Sequence, residues 1–484
     1  MSNFYITTSI PYVNGEPHLG HAMEFVMADV IARYMRQYKT PVILSTGTDE
    51  HGGKIAEKAE ELKITPQQLS DEMSAKFKQL MKELNISNDR FIRTTDTGHI
   101  QRSQLIWKNL AKYIYKNKYV GWYCTGDEEY FSEQVVKANN GVCPEHNRPY
   151  EKLQEVNYFF KLSAFTPQIK QAIETNAFYI LPVSRKNEIL SVINSGLEDI
   201  SISRPTSKIA WGIPVPGDGT QTMYVWFEAL LNYITVLGYP ENQVFKDFWP
   251  ANIQVVGKGI LRFHAAIWPG ILLALGLPLP KSLYVHGYIT VNDSKMSKSL
   301  GNSVAPHEVI SKYGADTFRY FFLRHIPSYG DGDFSWDRLE AAYNSELADQ
   351  LGNAVSRTAA MIIKYQSGII GEIPPAEHDT GPYREALEAC RFDRALDEVW
   401  EQVRGLNQYI DESKPWELAK QNDEDHLREV LAYLAGMLLE ISDLLQPLMP
   451  ETAEKIKQVF DSGLVKPSAS TLFPKFDQKP QPAK

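Results

Sequence analysis

The chain has 484 residues, is 43% apolar and 23% charged, and carries a formal net charge of -9 at pH 7. That length is too great for one core and calls for about three domains of ordinary size, and the composition is that of a globular protein. Three cysteines (Cys124, Cys143 and Cys390) cannot build a disulfide framework, which points to a reducing cytoplasm. The acidic balance excludes indiscriminate nucleic-acid binding, although phosphate recognition depends on local Lys/Arg stripes rather than on total charge.

No charged and then apolar leader opens the chain, so no secretory signal is expected. The first run, Phe4-Tyr5-Ile6-Thr7-Thr8-Ser9-Ile10, reads as a strand, and a long helical pattern begins at His18. Val42-Ile43-Leu44 is the next strand, and it ends in the polar stretch Thr46-Gly47-Thr48-Asp49-Glu50-His51-Gly52. Helical patterns follow over residues 51–62 and 66–84. Residues 120–203 are different in character, with short strands, turns and paired Cys/His-type residues, and read as an insertion. Ile253-Gln254-Val255-Val256 returns as a strand, ends in Gly257-Lys258-Gly259 and leads into a helix from Ile260. The most apolar run, residues 265–279, is shorter than the ~18 residues of a spanning helix, and Pro269 and Pro278 interrupt it; a buried helix is expected. Leu283-Tyr284-Val285-His286 is another strand. From about Ser335 the pattern becomes long helices, over residues 337–365, 382–410 and 424–445, and suggests a bundle with short connections. The tail from Ser462 reads as surface-lying or partly disordered. Alternating strands and helices imply a parallel sheet whose sites lie at strand C-termini, and the motif-bearing turns all fall at such ends.

Two motifs fit one reaction. His18-Leu19-Gly20-His21 opens a helix after a strand, and Lys295-Met296-Ser297-Lys298-Ser299 lies in a polar loop after another. His18 and His21 are three apart and share one side of the first turn, where unpaired N–H groups and the positive dipole end favour phosphate. Gly20 removes a side chain where a ligand would approach the backbone. Two lysines on a loop suit a triphosphate and its displaced pyrophosphate. Alone, either motif reads equally well as ordinary surface: histidines capping a helix, or a solvated loop. Their order, their contexts and the lead-in Pro11-Tyr12-Val13-Asn14-Gly15 favour the shared site.

On these motifs the chain resembles the class I aminoacyl-tRNA synthetases, and among them the methionyl enzymes, over nearly its whole length. The resemblance implies an α/β architecture: a Rossmann-like parallel-sheet catalytic domain with a small inserted zinc-knuckle-type domain, followed by an α-helical bundle. The expected division is residues 1–119 and 204–280 for the two catalytic halves, 120–203 for the insertion, 281–335 for the signature-loop and stem-contact region, 336–461 for a helical anticodon-binding domain and 462–484 for the tail. It further implies that His18, Gly20, His21, Lys295, Ser297 and Lys298 bind ATP (with Mg2+). Lys298 would neutralise pyrophosphate in the transition state, with His18, His21 and Lys295 assisting. Electrostatic stabilisation, not a protein nucleophile, is the expected mechanism.

A thioether calls for an aromatic-rich pocket with few polar groups, and an acidic group must hold the ammonium, for which Asp49 at a strand end is suited. By resemblance the methionine pocket is Ile10, Tyr12, Asp49, Trp226, Ala229, Tyr233, Ile260 and His264; Trp268 fits core or second layer as well as direct contact. One departure stands at Gly257-Lys258-Gly259, where the family usually has Gly-Lys-Asp near the adenosine ribose. In the insertion, Cys124 and Asp127, then Cys143 and His146, have the spacing of a structural zinc knuckle, with Asp127 where relatives often carry cysteine. A metal-free knuckle is the alternative. In the bundle, Asn353 and Arg357 lie four apart on one helix face and Trp416 starts another, a set suited to single-stranded anticodon loops and matching the family's anticodon readers.

The expectation is a methionine–tRNA ligase: methionine and ATP give methionyl-adenylate and pyrophosphate, then methionyl passes to the terminal adenosine of tRNA(Met). Its partners would be methionine, ATP and tRNA(Met), with no membrane or DNA partner, and the enzyme a cytoplasmic monomer. Synthetases for leucine, isoleucine or valine usually carry a larger editing insertion, and a cysteinyl enzyme would place zinc ligands in the amino-acid pocket. A silent tRNA-binding paralogue is encouraged only by Gly259, and a tRNA-independent adenylate-forming ligase is disfavoured by Asn353, Arg357 and Trp416.

Overall fold

Four of the apolar runs are strands buried on nearly every residue, as strands covered on both faces must be: Phe4–Thr8, Val42–Thr48, Ile253–Gly257 and Ser282–His286. The computed structural model describes residues 3–124, 129–131, 133–145, 147–295, 304–374, 379–466 and 472–475. It divides into two compact units, one of Met1–Glu16, Pro41–Gln79 and Asn88–Val285, the other of Pro17–Thr40, Leu80–Ser87 and His286–Lys484.

The first unit is built on a six-stranded sheet in the order Arg90–Arg93, Val42–Thr48, Phe4–Thr8, Ile253–Gly257, Ser282–His286, Tyr179–Leu181. Phe4–Thr8 pairs in parallel with Val42–Thr48 on one side and Ile253–Gly257 on the other, so the strand order reverses there. In such sheets the ligand crevice lies beyond the carboxyl ends at that reversal. Gly47 faces Ile92 in the next strand, and a Cβ there would overlap the Ile92 carbonyl, so the close approach of these strands requires glycine. A second, antiparallel sheet runs Glu129–Phe131, Ile114–Cys124, Glu151–Phe160, Ile200–Ser201. Tyr179–Leu181, within the stretch expected as insertion, pairs in parallel with Ser282, Leu283 and Tyr284 at the edge of the main sheet.

The second unit contains the helix Leu19–Gln37, buried almost all round, as a helix inside a large core must be. Its two buried acids are both paired. Glu24 meets His286 at 2.9 Å. Asp29 meets Arg33 at 2.7 Å, Arg319 at 2.8 Å and the Ser87 backbone N–H at 2.7 Å. These cations and the Ser87 hydrogen bonds outweigh burial and hold the Asp29 carboxyl below its ordinary range.

The bundle helices are Trp336–Ala342, Asn353–Gln366, Gly381–Glu388, Phe392–Ser413, Pro415–Gln421, Glu424–Leu445 and Pro450–Phe460. Two differ from the sequence pattern. The first expected helix is continuous over 336–366 but contains a π-helical stretch, Tyr343–Gly352. The expected helix over 382–410 is broken, because Cys390 takes a left-handed conformation (φ 53°) between Gly381–Glu388 and Phe392–Ser413. The tail docks in part: Leu464 bridges Ile369, and Phe473 is buried edge-on against Tyr343. Among the described residues no helix is long and apolar enough to cross a membrane.

Candidate active site

In the first unit, the loops after the two switch-point strands and the end of Val42–Thr48 carry the residues expected to hold the amino acid. Asp49 bridges Tyr12 as a one-residue extension of the sheet: its N–H donates to Pro11 O (2.8 Å) and its carbonyl accepts from Val13 N–H (3.1 Å). Asp49 is buried, while Ile10, Tyr12, Trp226 and Ile260 are half-buried. Lys54 lies 6.0 Å from the Tyr12 ring centre.

Tyr233 and His264 are both buried, with Tyr233 Oη 2.6 Å from His264 Nε2 and His264 Nδ1 2.9 Å from Ile260 O. A carbonyl only accepts, so Nδ1 carries a ring proton, and in that tautomer of the neutral ring Nε2 accepts a hydrogen bond from the tyrosine O–H. Tyr5 Oη donates to Tyr233 O (2.9 Å), tying this segment to the first strand. Trp226 stacks on Phe263 at 3.9 Å, and Ala229, one turn from Trp226 on Val225–Leu230, is buried. His264 sits in a π-helical stretch, Phe263–Ile267, a distortion common where a helix presents functional groups. Trp268 is wholly buried between Tyr233 and Trp249 and belongs to the core.

In the second unit, His18 is the N-cap of Leu19–Gln37. Its Nδ1 accepts from Gly20 N (3.1 Å) and His21 N (3.4 Å), the His18 N–H meets His21 Nδ1 (3.3 Å), and the rings stack at 3.6 Å. The histidines therefore do cap the helix, and the same N–H groups are those an anion would claim. The His18 ring is open to solvent along one side, while the protein beneath it lowers its pKa to about 4, against the pull of Glu24. Burial, then His18 and His286, hold His21 well below its ordinary value. Both rings are neutral at pH 7.

The strand pair Ile289–Val291 and Ser294–Lys295 forms a hairpin turned by Asn292 and Asp293, both at positive φ (51° and 59°), as a two-residue turn of the primed type requires. Asp333 Oδ1 anchors it through Thr290 Oγ1 and Asp293 N, both at 2.7 Å. The Lys295 backbone pairs with Thr290; Ser297 and Lys298 lie outside the described residues.

In the bundle, Asn353 is exposed and the Arg357 guanidinium lies 5.8 Å from the Trp416 ring centre while pairing with Asp411 (3.1 Å). Asn353 and Arg357 stand on Asn353–Gln366, Trp416 on Pro415–Gln421 and Asp411 on Phe392–Ser413. Cys124 and Cys143 are buried in one small apolar cluster with Val136 and Tyr150. Asp127 and His146 lie outside the described residues, and among the described residues no group of three or more His, Cys, Asp or Glu stands ready for a metal.

Sequence reading missed several buried polar residues: Glu228, His51 and His99 in the first unit and, separately, Arg319 in the second. The available signal was Glu228 itself, a lone carboxylate within the apolar stretch from Tyr224 to Leu231.

The chain is similar to known proteins over nearly its whole length. The family description "tRNA synthetases class I (M)" matches residues 4–156 and 147–359, and an anticodon-binding domain of tRNA ligase matches residues 382–483. The chain is 39% identical to a methionine–tRNA ligase of Thermotoga maritima over 98% of its own length and 81% of the relative's. For the Clostridium tetani counterpart the figures are 44%, 95% and 74%. A solved Mycobacterium tuberculosis methionyl-tRNA synthetase in complex with methionyl-adenylate superposes with a TM-score of 0.92 at 34% identity, covering 98% of this chain and 100% of that one. The chain belongs to the methionyl-tRNA synthetase family of class I aminoacyl-tRNA synthetases.

Proposed function

We infer that this chain is a methionine–tRNA ligase: it activates methionine with ATP and transfers the methionyl group to tRNA(Met). The observation that carries the reading is the set at the sheet's switch point, where Asp49 is held beside Tyr12 and Tyr233 is bonded to His264. Asp49 takes the ammonium of methionine. Its side chain enters the space lined by Ile10, Trp226, Ala229, Tyr233, Ile260 and His264, where a polarizable thioether meets aromatic surface. A methionine carboxylate oxygen attacks the α-phosphorus of ATP while the bond to pyrophosphate breaks, and the main task of the protein is alignment. Neutral His18 and His21 offer N–H donors at a helix N-terminus, with Gly20 leaving room; Lys298, supported by Lys295, neutralises the departing pyrophosphate, and Ser297 binds ATP through its hydroxyl. A ribose hydroxyl of the terminal adenosine then attacks the carbonyl carbon and AMP leaves.

Magnesium would accompany the triphosphate as part of the substrate. Cys124, Asp127, Cys143 and His146 would hold a structural zinc whose four protein ligands leave no open position for chemistry; the shared burial of the two cysteines supports it. Asn353, Arg357 and Trp416 read the anticodon. The enzyme acts in the cytoplasm as a monomer, with residues 120–203 as the insertion, of which Tyr179–Leu181 returns to the main sheet, and 336–461 as the anticodon-binding domain.

The test is methionine-dependent ATP–pyrophosphate exchange, with leucine, isoleucine, valine and cysteine as competitors and Lys298→Ala as control. Exchange with methionine alone, reduced about a hundredfold or more by the substitution, is expected for loss of a transition-state charge contact. Folded wild-type protein without exchange would leave only a tRNA-binding role.

A further inference from the structure

Glu228 is fully buried, and no lysine or arginine pairs with it among the described residues. Instead its two carboxylate oxygens accept from two imidazoles, Oε1 from His51 Nδ1 at 2.7 Å and Oε2 from His99 Nε2 at 2.9 Å. His99 Nδ1 in turn meets Thr235 Oγ1 at 2.8 Å. Burial alone would raise the Glu228 carboxyl; His51 and His99 outweigh it and hold it below the ordinary carboxylate range.

Three of the segments that carry the methionine pocket are connected in this way. His51 is two residues beyond Asp49, Glu228 lies between Trp226 and Ala229 on Val225–Leu230, and Thr235 is two residues beyond Tyr233. The Asp49 side is fixed further. Glu50 is bonded by Thr48 Oγ1 and Arg93 Nε, each at 2.7 Å, its N–H donates to Thr94 Oγ1, and Trp211 Nε1 donates to its carbonyl while Trp211 packs on His51. A buried carboxylate of this kind is a poor means of stabilisation compared with apolar packing, and its best use is to fix geometry.

We propose that Glu228 is a positioning residue for methionine recognition, locking through His51 and His99 the segments of Asp49, Trp226–Ala229 and Tyr233 into one arrangement. This rests on the reading of those residues as the amino-acid pocket. Glutamine at this position preserves the geometry: its oxygen accepts from His51, its amide donates to His99 Nε2, and His99 moves its proton to Nδ1 toward Thr235. Leucine breaks both bonds at similar volume.

The experiment measures KM for methionine and for ATP by pyrophosphate exchange in Glu228→Gln, Glu228→Leu, Asp49→Asn and the Asp49→Asn/Glu228→Leu double variant. Glu228→Gln is expected to stay within about threefold of wild type, and Glu228→Leu to raise KM for methionine about tenfold or more with KM for ATP within about twofold. In the Asp49→Asn background the Glu228→Leu effect is expected to shrink, since both act on the same contact. Folded Glu228→Leu with an unchanged KM for methionine, with both KM values raised alike, or with a fully additive double variant would overturn the proposal. If Glu228→Leu does not fold, His51→Gln serves in the same comparison with the same outcomes. Asp49→Asn leaving KM for methionine unchanged would instead overturn the pocket reading itself.

Discussion

Asp316, at the start of the helix Ala315–Arg324, is a buried carboxyl whose ionisation works against the fold. Its Oδ2 accepts from Thr452 N–H at 2.6 Å, and its Oδ1 is buried with no hydrogen-bond partner among the described residues. Burial raises its pKa from 3.8 to about 6, with Arg319 and Thr452 pulling it down and Glu451 pushing it up. The folded state thus holds the proton more tightly than the unfolded chain does. The associated stability is fully present below pH 3.8 and is lost as pH rises through about 6. The shift of about two units corresponds to about 3 kcal/mol in all, of which about 2 kcal/mol falls between about pH 4.5 and about pH 7.5. Asparagine in place of Asp316 would retain an acceptor for Thr452 and remove the ionisation. In urea unfolding followed by circular dichroism, Asp316→Asn is therefore expected to gain about 2 kcal/mol relative to wild type between about pH 4.5 and about pH 7.5. Taking the difference between the two proteins cancels the opposite pH dependence of carboxylates held low, such as Asp29 and Glu228. A wild-type-to-variant difference that does not change with pH would refute the assignment of a raised pKa to this carboxyl.

Arg319 is wholly buried and donates to Leu448 O (2.7 Å), Pro447 O (2.9 Å) and Leu84 O (3.3 Å) besides pairing with Asp29. Arg319→Met is expected to cost about 3 kcal/mol, the low end for a broken buried pair because Arg33 and Ser87 still serve Asp29; a melting temperature within about 1 °C of wild type would contradict this. Trp416→Ala removes the ring under Arg357 and is expected to weaken tRNA(Met) binding by about 1–3 kcal/mol. Pyrophosphate exchange without tRNA should stay unchanged in that variant, and an equal loss in both assays would argue against an anticodon role.

Much of the framework was legible from local pattern. The strands Phe4–Thr8 and Val42–Thr48 and the helix Glu424–Leu445 announce themselves through runs whose burial follows from neighbours in sequence, and the His18–His21 motif names its helix N-terminus directly. Local pattern also places Asp49 close to a strand end, although the polar residues after Leu44 stay in the sheet as far as Thr48, paired with Arg90–Arg93. It could not show the break at Cys390, which has no proline or glycine signal beside it, or the π-helical stretch Tyr343–Gly352, whose one glycine stands at its end and leaves the helix continuous. Nor could it give the strand order, which brings Phe4–Thr8 between partners near residues 42 and 253. Tertiary structure alone decided that Glu228 meets His51 and His99, across 177 and 129 residues of chain. A lone acid in an apolar run advertises that it must be neutralised or hydrogen-bonded when buried, but its partners are chosen only when distant segments pack. Periodicity reports how a segment meets solvent and core; pairing between segments is a property of the closed fold.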